Sequence, residues 1–183
     1  MSCFNKSANN AQLGINTTVN NQLSLQSGLL DIGDYDLDQG TAGVTNTVGT
    51  TTYIYTSGMG RVIRRITNGN MATYMVGDGS FTPLSIENNG STNDFYVSVI
   101  NEVLDEGDTG VALTTEVVNR TWNIEEAVAG GTNLKITAQW NASDELTGFD
   151  RTNCYMSHYE NDDWEKSTSG AATGGNPYQI TRN

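Results

Sequence analysis

The sequence predicts an all-β fold, an antiparallel β-sandwich preceded by a short-stranded segment that is either β-solenoid-like or a meander. Three observations predict it. Lys and Ala are sparse while Gly and β-branched residues are spread along the chain. No segment keeps a 3.6-residue apolar period beyond about two turns. Val, Ile, Leu and aromatic residues recur instead in short alternating runs bounded by turn residues.

From Ile15 to Val48 the apolar residues come in pairs two apart, Leu23/Leu25, Leu30/Ile32 and Tyr35/Leu37, separated by Gly28, Gly33 and Gly40. Short strands with Gly corners suit stacked solenoid rungs or a meander, and their spacing is too irregular to define a repeat. This segment is assigned to residues 1–50. Longer strands follow: Thr52–Tyr55 and Gly60–Thr67 around a Gly58-Met59-Gly60 turn, then Ala72–Val76 before Asp78-Gly79, and Asp94–Leu104. Val111–Val118, Arg120–Ile124, Asn133–Trp140 and Asn153–Tyr159 continue the series. Leu134, Ile136, Ala138 and Trp140 alternate with Lys135, Thr137 and Gln139, the pattern of a strand with one wet face. Turn signals between such strands predict a sandwich over residues 51–166. Residues 167–183 read as a Gly/Ser link, Ser167–Asn176, and a terminal strand, Tyr178–Thr181, cut loose from its partner.

The 183 residues carry 21 acidic and 9 basic side chains, a net charge of −12 that disfavours nucleic acid as a partner. No window approaches the roughly 18 apolar residues of a membrane span. The opening MSCFNKSANN lacks the apolar stretch of a secretory signal, so an exported protein of this sequence is expected to be a mature form.

The series GMGRVIRRI, VGDGSFTPLSIEN, DFYVSVI, VNRTWNIEE, NLKITAQWNASDE, CYMSHYENDDWEK and NPYQITR resembles a β-sandwich module of large cell-surface and secreted proteins of Bacteroidota. The resemblance covers roughly residues 20 to 182. Such modules commonly follow a β-helix-like stretch and precede a C-terminal sorting domain of the type IX secretion system. The sorting domain is absent from this sequence, as is the further strand into which the module usually runs. The resemblance implies an extracellular, mostly non-enzymatic module with an edge that is open or filled by something else, and no catalytic residues.

Candidate chemistry is sparse. Gly58-Met59-Gly60 lacks the third Gly and the following helix of a dinucleotide fingerprint, and reads as a turn. Cys154 and His158 are four apart, about 13 Å on a strand, which is too far for a nucleophile and its base. Cys3 and Cys154 are a candidate disulfide whose pairing the sequence leaves open. Asp34, Asp36 and Asp38 alternate before Gly40 and are candidate ligands for Ca²⁺, against the reading that they line the wet face of a strand while Tyr35 and Leu37 pack inward. No cofactor is otherwise expected. Glu125/Glu126 and Asp144/Glu145 are the carboxylate pairs a glycosidase would need. Trp164, with Tyr159 and the acidic residues Asp162 and Asp163, is a candidate glycan platform, whereas Trp122 and Trp140 fall within strand patterns and read as core.

Two functions follow. One is an extracellular structural module for display or fibre assembly, in which Gln12–Val19 or Tyr178–Thr181 pairs with the open edge of a neighbouring copy. The other is a carbohydrate-binding or adhesion module. A hydrolase is the weakest reading, because no positioned nucleophile or acid pair is visible.

Overall fold

The computed structural model of the chain describes residues 2–5, 10–45 and 48–183. Among these the one helical element is a 3₁₀ turn at Ala142–Asp144, and the fold is all-β.

Short strands come first: β1 (Ser2–Asn5), β2 (Ala11–Gln12), β3 (Thr17–Thr18), β4 (Leu23–Ser27), β5 (Leu30–Asp31), β6 (Leu37–Gly40) and β7 (Val44–Thr45). They continue with β8 (Ile54–Tyr55), β9 (Val62–Ile66), β10 (Asn70–Tyr74) and β11 (Val76–Gly77). Apart from β10, these strands pair with one another in parallel and form three faces of a solenoid. Ala11, Leu30, Ile54 and Val76 stack in one column, Thr17, Leu37 and Val62 in a second, and Ser2, Leu23 and Val44 in a third. The solenoid alternative is therefore the observed one. Leu23, Leu30, Ile32, Leu37, Ile54, Val62 and Val76 fill its interior.

Asx side chains stitch one rung to the next. The Asn16 Oδ1 accepts the Asp36 amide at 3.0 Å, and the Asp36 Oδ1 accepts the Arg61 amide at 2.9 Å. These three residues immediately precede β3, β6 and β9, so a single column position repeats the same bond. Gly58 and Gly60 make the adjoining corner. A Cβ at Gly60 would lie 2.7 Å from the Gly33 carbonyl oxygen and would also collide with Tyr35, so only hydrogen fits where these corners stack.

Beyond the solenoid lie β12 (Leu84–Asn88), β13 (Asn93–Ile100), β14 (Leu104–Glu106), β15 (Thr109–Ala112), β16 (Thr121–Glu126) and β17 (Leu134–Trp140). The chain ends with β18 (Ser157–Glu160), β19 (Asp163–Lys166), β20 (Thr173–Gly174) and β21 (Tyr178–Arg182). One sandwich sheet has the order β10-β12-β17-β21-β20 and is antiparallel. The other, β16-β13-β9-β6-β3, is mixed: β9 pairs parallel with β6 on one edge and antiparallel with β13 on the other. A boundary at residue 50 thus falls inside continuous sheets, and one apolar cluster runs from Leu13 through Phe95 to Ala138.

The terminal segments differ from expectation. Tyr178–Arg182 is not cut loose: Tyr178 pairs with Trp140 and Ile180 with Ala138, where alternating apolar residues on both strands reach the same interior. Ala11–Gln12 and Thr17–Thr18 are likewise paired within the solenoid. Both segments proposed to cross to a neighbour are held by their own chain.

Two outcomes follow from this packing. Gly60→Ala should destabilise the protein by about 2–3 kcal/mol as an overpacking substitution, whereas Gly14→Ala, which meets nothing within 4 Å, should stay within about 0.5 kcal/mol; urea titration of both variants checks this. Tyr74 is fully buried, donates to the Phe95 carbonyl at 3.1 Å, and has its phenol pKa raised by burial. The folded state keeps that proton while the unfolded chain loses it. Stability from this group is therefore present below the ordinary tyrosine value of about 10 and declines as the pH rises above it. Tyr74→Phe should flatten that alkaline decline in a pH series of melting curves.

Candidate functional site

The sandwich is closed on one flank and open on the other. On the closed flank Phe95 and Val97 of β13 meet Leu84 and Ile86 of β12 with at most 1% exposure. Toward β16 and β21 the inward residues are only half-buried: Trp122 and Ile124 on β16, Leu134 and Ile136 on β17, Ile180 on β21. Between them opens a cleft of about 1300 Å³ with a predominantly apolar lining. Small-molecule pockets usually fall between about 300 and 1,000 Å³, so this space exceeds that class.

The edge of β16 forms part of the wall. Every residue from Thr121 to Glu126 borders the cleft, so the space wraps around both faces of the strand. β16 is the last strand of its sheet, pairing with β13 alone. On the facing sheet, β21 pairs with β20 only at Gln179 and Tyr178, leaving the Ile180–Arg182 edge uncovered by a strand. Unpaired edge amides and carbonyls beside half-buried apolar side chains are the two features that a β-strand ligand satisfies together.

A buried polar network anchors the start of β16. Arg120 donates through Nη2 to Asp144 Oδ1 at 2.8 Å and to Ser80 Oγ at 2.7 Å, and the side chains of this ion pair are each 4% exposed. Asp144 Oδ2 accepts the Asn141 amide at 2.8 Å, which closes the 3₁₀ turn. At the neighbouring end of the cleft, Glu145 accepts Trp140 Nε1 at 2.8 Å and forms an ion pair with Arg151 at 2.7 Å, while Arg151 lies 4.3 Å over the Tyr178 ring.

Of the residues singled out in the sequence, Trp164, Tyr159, Cys154, Glu125 and Glu126 also border the cleft. Trp164 and Tyr159 face each other across the β18–β19 hairpin with ring centroids 5.2 Å apart at 64°. Trp164 Nε1 donates to the Leu104 carbonyl at 3.1 Å, and the Tyr159 ring lies where a Cβ of Gly107 would be. Both rings are engaged in joining this hairpin to β14–β15, and burial with nearby acidic groups raises the Tyr159 pKa. Asp162 and Asp163 are exposed, Asp162 in the turn with Asn161 at positive φ.

The Asp34–Asp38 triplet does not converge. Asp34 Oδ1 accepts the Met59 amide at 3.1 Å, Asp36 the Arg61 amide, and Asp38 the Gly40 amide at 2.8 Å, so each carboxylate serves a different backbone site. Neither does the strand alternation extend here. Asp34 lies in a turn, and Tyr35 is 38% exposed rather than packed inward beside Leu37. Among the described residues the ligand-type atoms that do come together, within 4.8 Å, are those of His158, Glu160 and Glu165, all exposed and with Arg182 3.9 Å from Glu165.

Cys154 is a buried free thiol, 3.5 Å from the Gly170 carbonyl oxygen, and burial pushes its pKa up. The candidate bridge to Cys3, whose side chain lies outside the described residues, is not formed at the Cys154 end. Glu125 and Glu126 do not act as a pair. Glu125 bonds Arg61 at 2.5 Å, and Glu126 accepts from Thr132 and, at 3.4 Å, from Asn93. The open flank itself carried no local sequence signal beyond the apolar alternation of Trp122/Ile124 and Leu134/Ile136.

No protein-family model matches the chain, and neither a curated protein nor a solved structure is significantly similar to it.

The Arg120–Asp144 pair gives a direct test of how β16 is held. Arg120→Leu alone should cost about 3–5 kcal/mol by leaving a buried carboxylate without its cation. The double variant Arg120→Leu/Asp144→Leu should cost less than the sum of the two single changes, read from denaturant midpoints in a double-mutant cycle.

Proposed function

We propose that the protein is a non-enzymatic extracellular structural module that assembles through the open flank of its sandwich, where the β16 edge and the apolar cleft receive a strand from a neighbouring copy. The observation that carries this reading is the coincidence of a free strand edge with half-buried Trp122, Ile124, Leu134, Ile136 and Ile180. An added strand would extend the β13–β16 sheet while its alternate side chains enter the cleft. The extracellular setting is an expectation from the sequence resemblance alone, and no family model matches the chain. Three of the four candidate carboxylates for catalysis, Glu125, Asp144 and Glu145, are engaged with Arg61, Arg120 and Arg151, which favours a structural over a hydrolytic role.

The terminal segments are already paired in cis, so the donated strand belongs to a different edge or loop of the neighbour. Sedimentation velocity over a concentration series, with hydrogen exchange on the same samples, tests the reading. Association should increase with concentration and protect amides of residues 121–126. Ile124→Glu should abolish both effects, and Val128→Glu, at a position 69% exposed, should retain them. A chain that stays monomeric throughout, with β16 unprotected, overturns the proposal.

A further inference from the structure

A second feature lies on the opposite flank of the sandwich, independent of the cleft. β9 reads Val62, Ile63, Arg64, Arg65, Ile66, and its inward-facing set is Val62, Arg64 and Ile66. Arg64 is thus a cation on the core face, 7% exposed. Its Nη1 donates to the Thr73 carbonyl at 3.3 Å, a long bond, and its Nε is buried without a partner. Among the described residues no carboxylate forms an ion pair with it, although the chain carries 21 acidic side chains.

A desolvated guanidinium with a vacant donor is costly, and an oxyanion is the group that fits its planar fork of N–H donors. The space for one is present. Arg64 borders a cavity of about 190 Å³ between β9 and β10, together with Arg65, Thr41, Thr67 and Asn70. At roughly 30 Å³ per water this volume equals about six waters, enough for a carboxylate or a tetrahedral oxyanion. Arg65 alternates to the other face of β9, where it lies 3.8 Å from Asp94 and is 57% exposed, so Arg64 is the cation on the inward face. Thr41 and Thr67 border the same space, and Asn70 Nδ2 donates to the Thr67 hydroxyl at 2.7 Å.

We propose that this cavity is an oxyanion-binding site, with Arg64 as its buried cation and Thr41, Thr67 and Asn70 along its lining, for a small carboxylate, sulfate or phosphate. Binding supplies the counter-charge that the protein itself does not place there, and so couples occupancy to the stability of the junction between solenoid and sandwich. Burial lowers the Arg64 pKa, in line with a cation whose environment lacks a compensating anion.

The test titrates the purified full chain with sodium sulfate, sodium phosphate and sodium acetate, each balanced with sodium chloride to constant ionic strength. Melting temperature is followed, and sulfate binding is measured directly by equilibrium dialysis with radiolabelled ion. A saturable rise in melting temperature and one bound sulfate or phosphate per chain support a tetrahedral oxyanion; saturation by acetate alone supports a carboxylate. Arg64→Met should remove the saturable component. Thr41→Val and Thr67→Val, on the lining, should weaken binding several-fold while the protein still folds, and they decide the question if Arg64→Met does not fold; Arg65→Gln, on the opposite face of β9, should leave binding unchanged. A rise that never saturates and is equal in wild type and all variants is general salt exclusion from the surface and overturns the proposal, as does the absence of any bound ion.

Discussion

The fold depends on the two-sided pairing of β9. One edge of this five-residue strand carries the parallel register of the solenoid, and the other carries the antiparallel register of the sandwich. A parallel ladder and an antiparallel ladder place their hydrogen bonds differently, yet both leave side chains alternating across the sheet. Val62 and Ile66 can therefore belong to both interiors at once, and the apolar core passes from one architecture to the other without a break. The solenoid needs this junction because its last rung would otherwise end in an uncovered edge. The sandwich needs it because β13 and β16 alone would make too narrow a sheet to cover the facing one.

The unequal closure of the sandwich follows from the same arrangement. Near β9 the two sheets are braced by solenoid rungs and the side chains between them are fully buried. With distance from β9 the bracing is lost, and at β16 and β21 the facing apolar residues are only half-covered. Two ion pairs, Arg120–Asp144 and Arg151–Glu145, hold the ends of this flank in place with hydrogen bonds to Ser80, Asn141 and Trp140. The flank is thereby fixed in an open geometry by polar contacts in place of apolar closure. Such pairs give orientation more than net stability, since their desolvation offsets much of their attraction.

What was legible in the sequence was what depends on local period. The alternation from Leu134 to Trp140 specified a strand with one buried face, and the structure buries Ala138 and Trp140 on that face. The solenoid was legible as a class of short strands but not as a repeat, because its strands are as short as two residues and its corners differ in length. Its register resides in the stacking of Ala11, Leu30, Ile54 and Val76, which no window of sequence contains. The Asp34–Asp38 alternation imitated a metal loop or a strand face, whereas two of its three carboxylates bond amides of the next rung. The partner of Tyr178–Arg182 was hidden for a similar reason, since pairing with β17 joins segments about forty residues apart. The open flank is a property of two sheets and leaves no motif, although the inward placement of Arg64 was present in the alternation of Val62, Arg64 and Ile66.

The separation between rung columns and corners has an evolutionary consequence. Register is set by short strands and by the Asn16–Asp36–Arg61 column, so most corner lengths are not constrained by their neighbours. Loop closure costs grow only slowly with length, and a corner that faces water can lengthen without moving the column beneath it. Related chains can therefore be expected to vary in corner length and surface chemistry while keeping the same interior, with Gly58–Gly60 as a conserved exception because that corner rests directly on the one below. Such a scaffold allows its outer surface to diversify while its means of stacking stays unchanged.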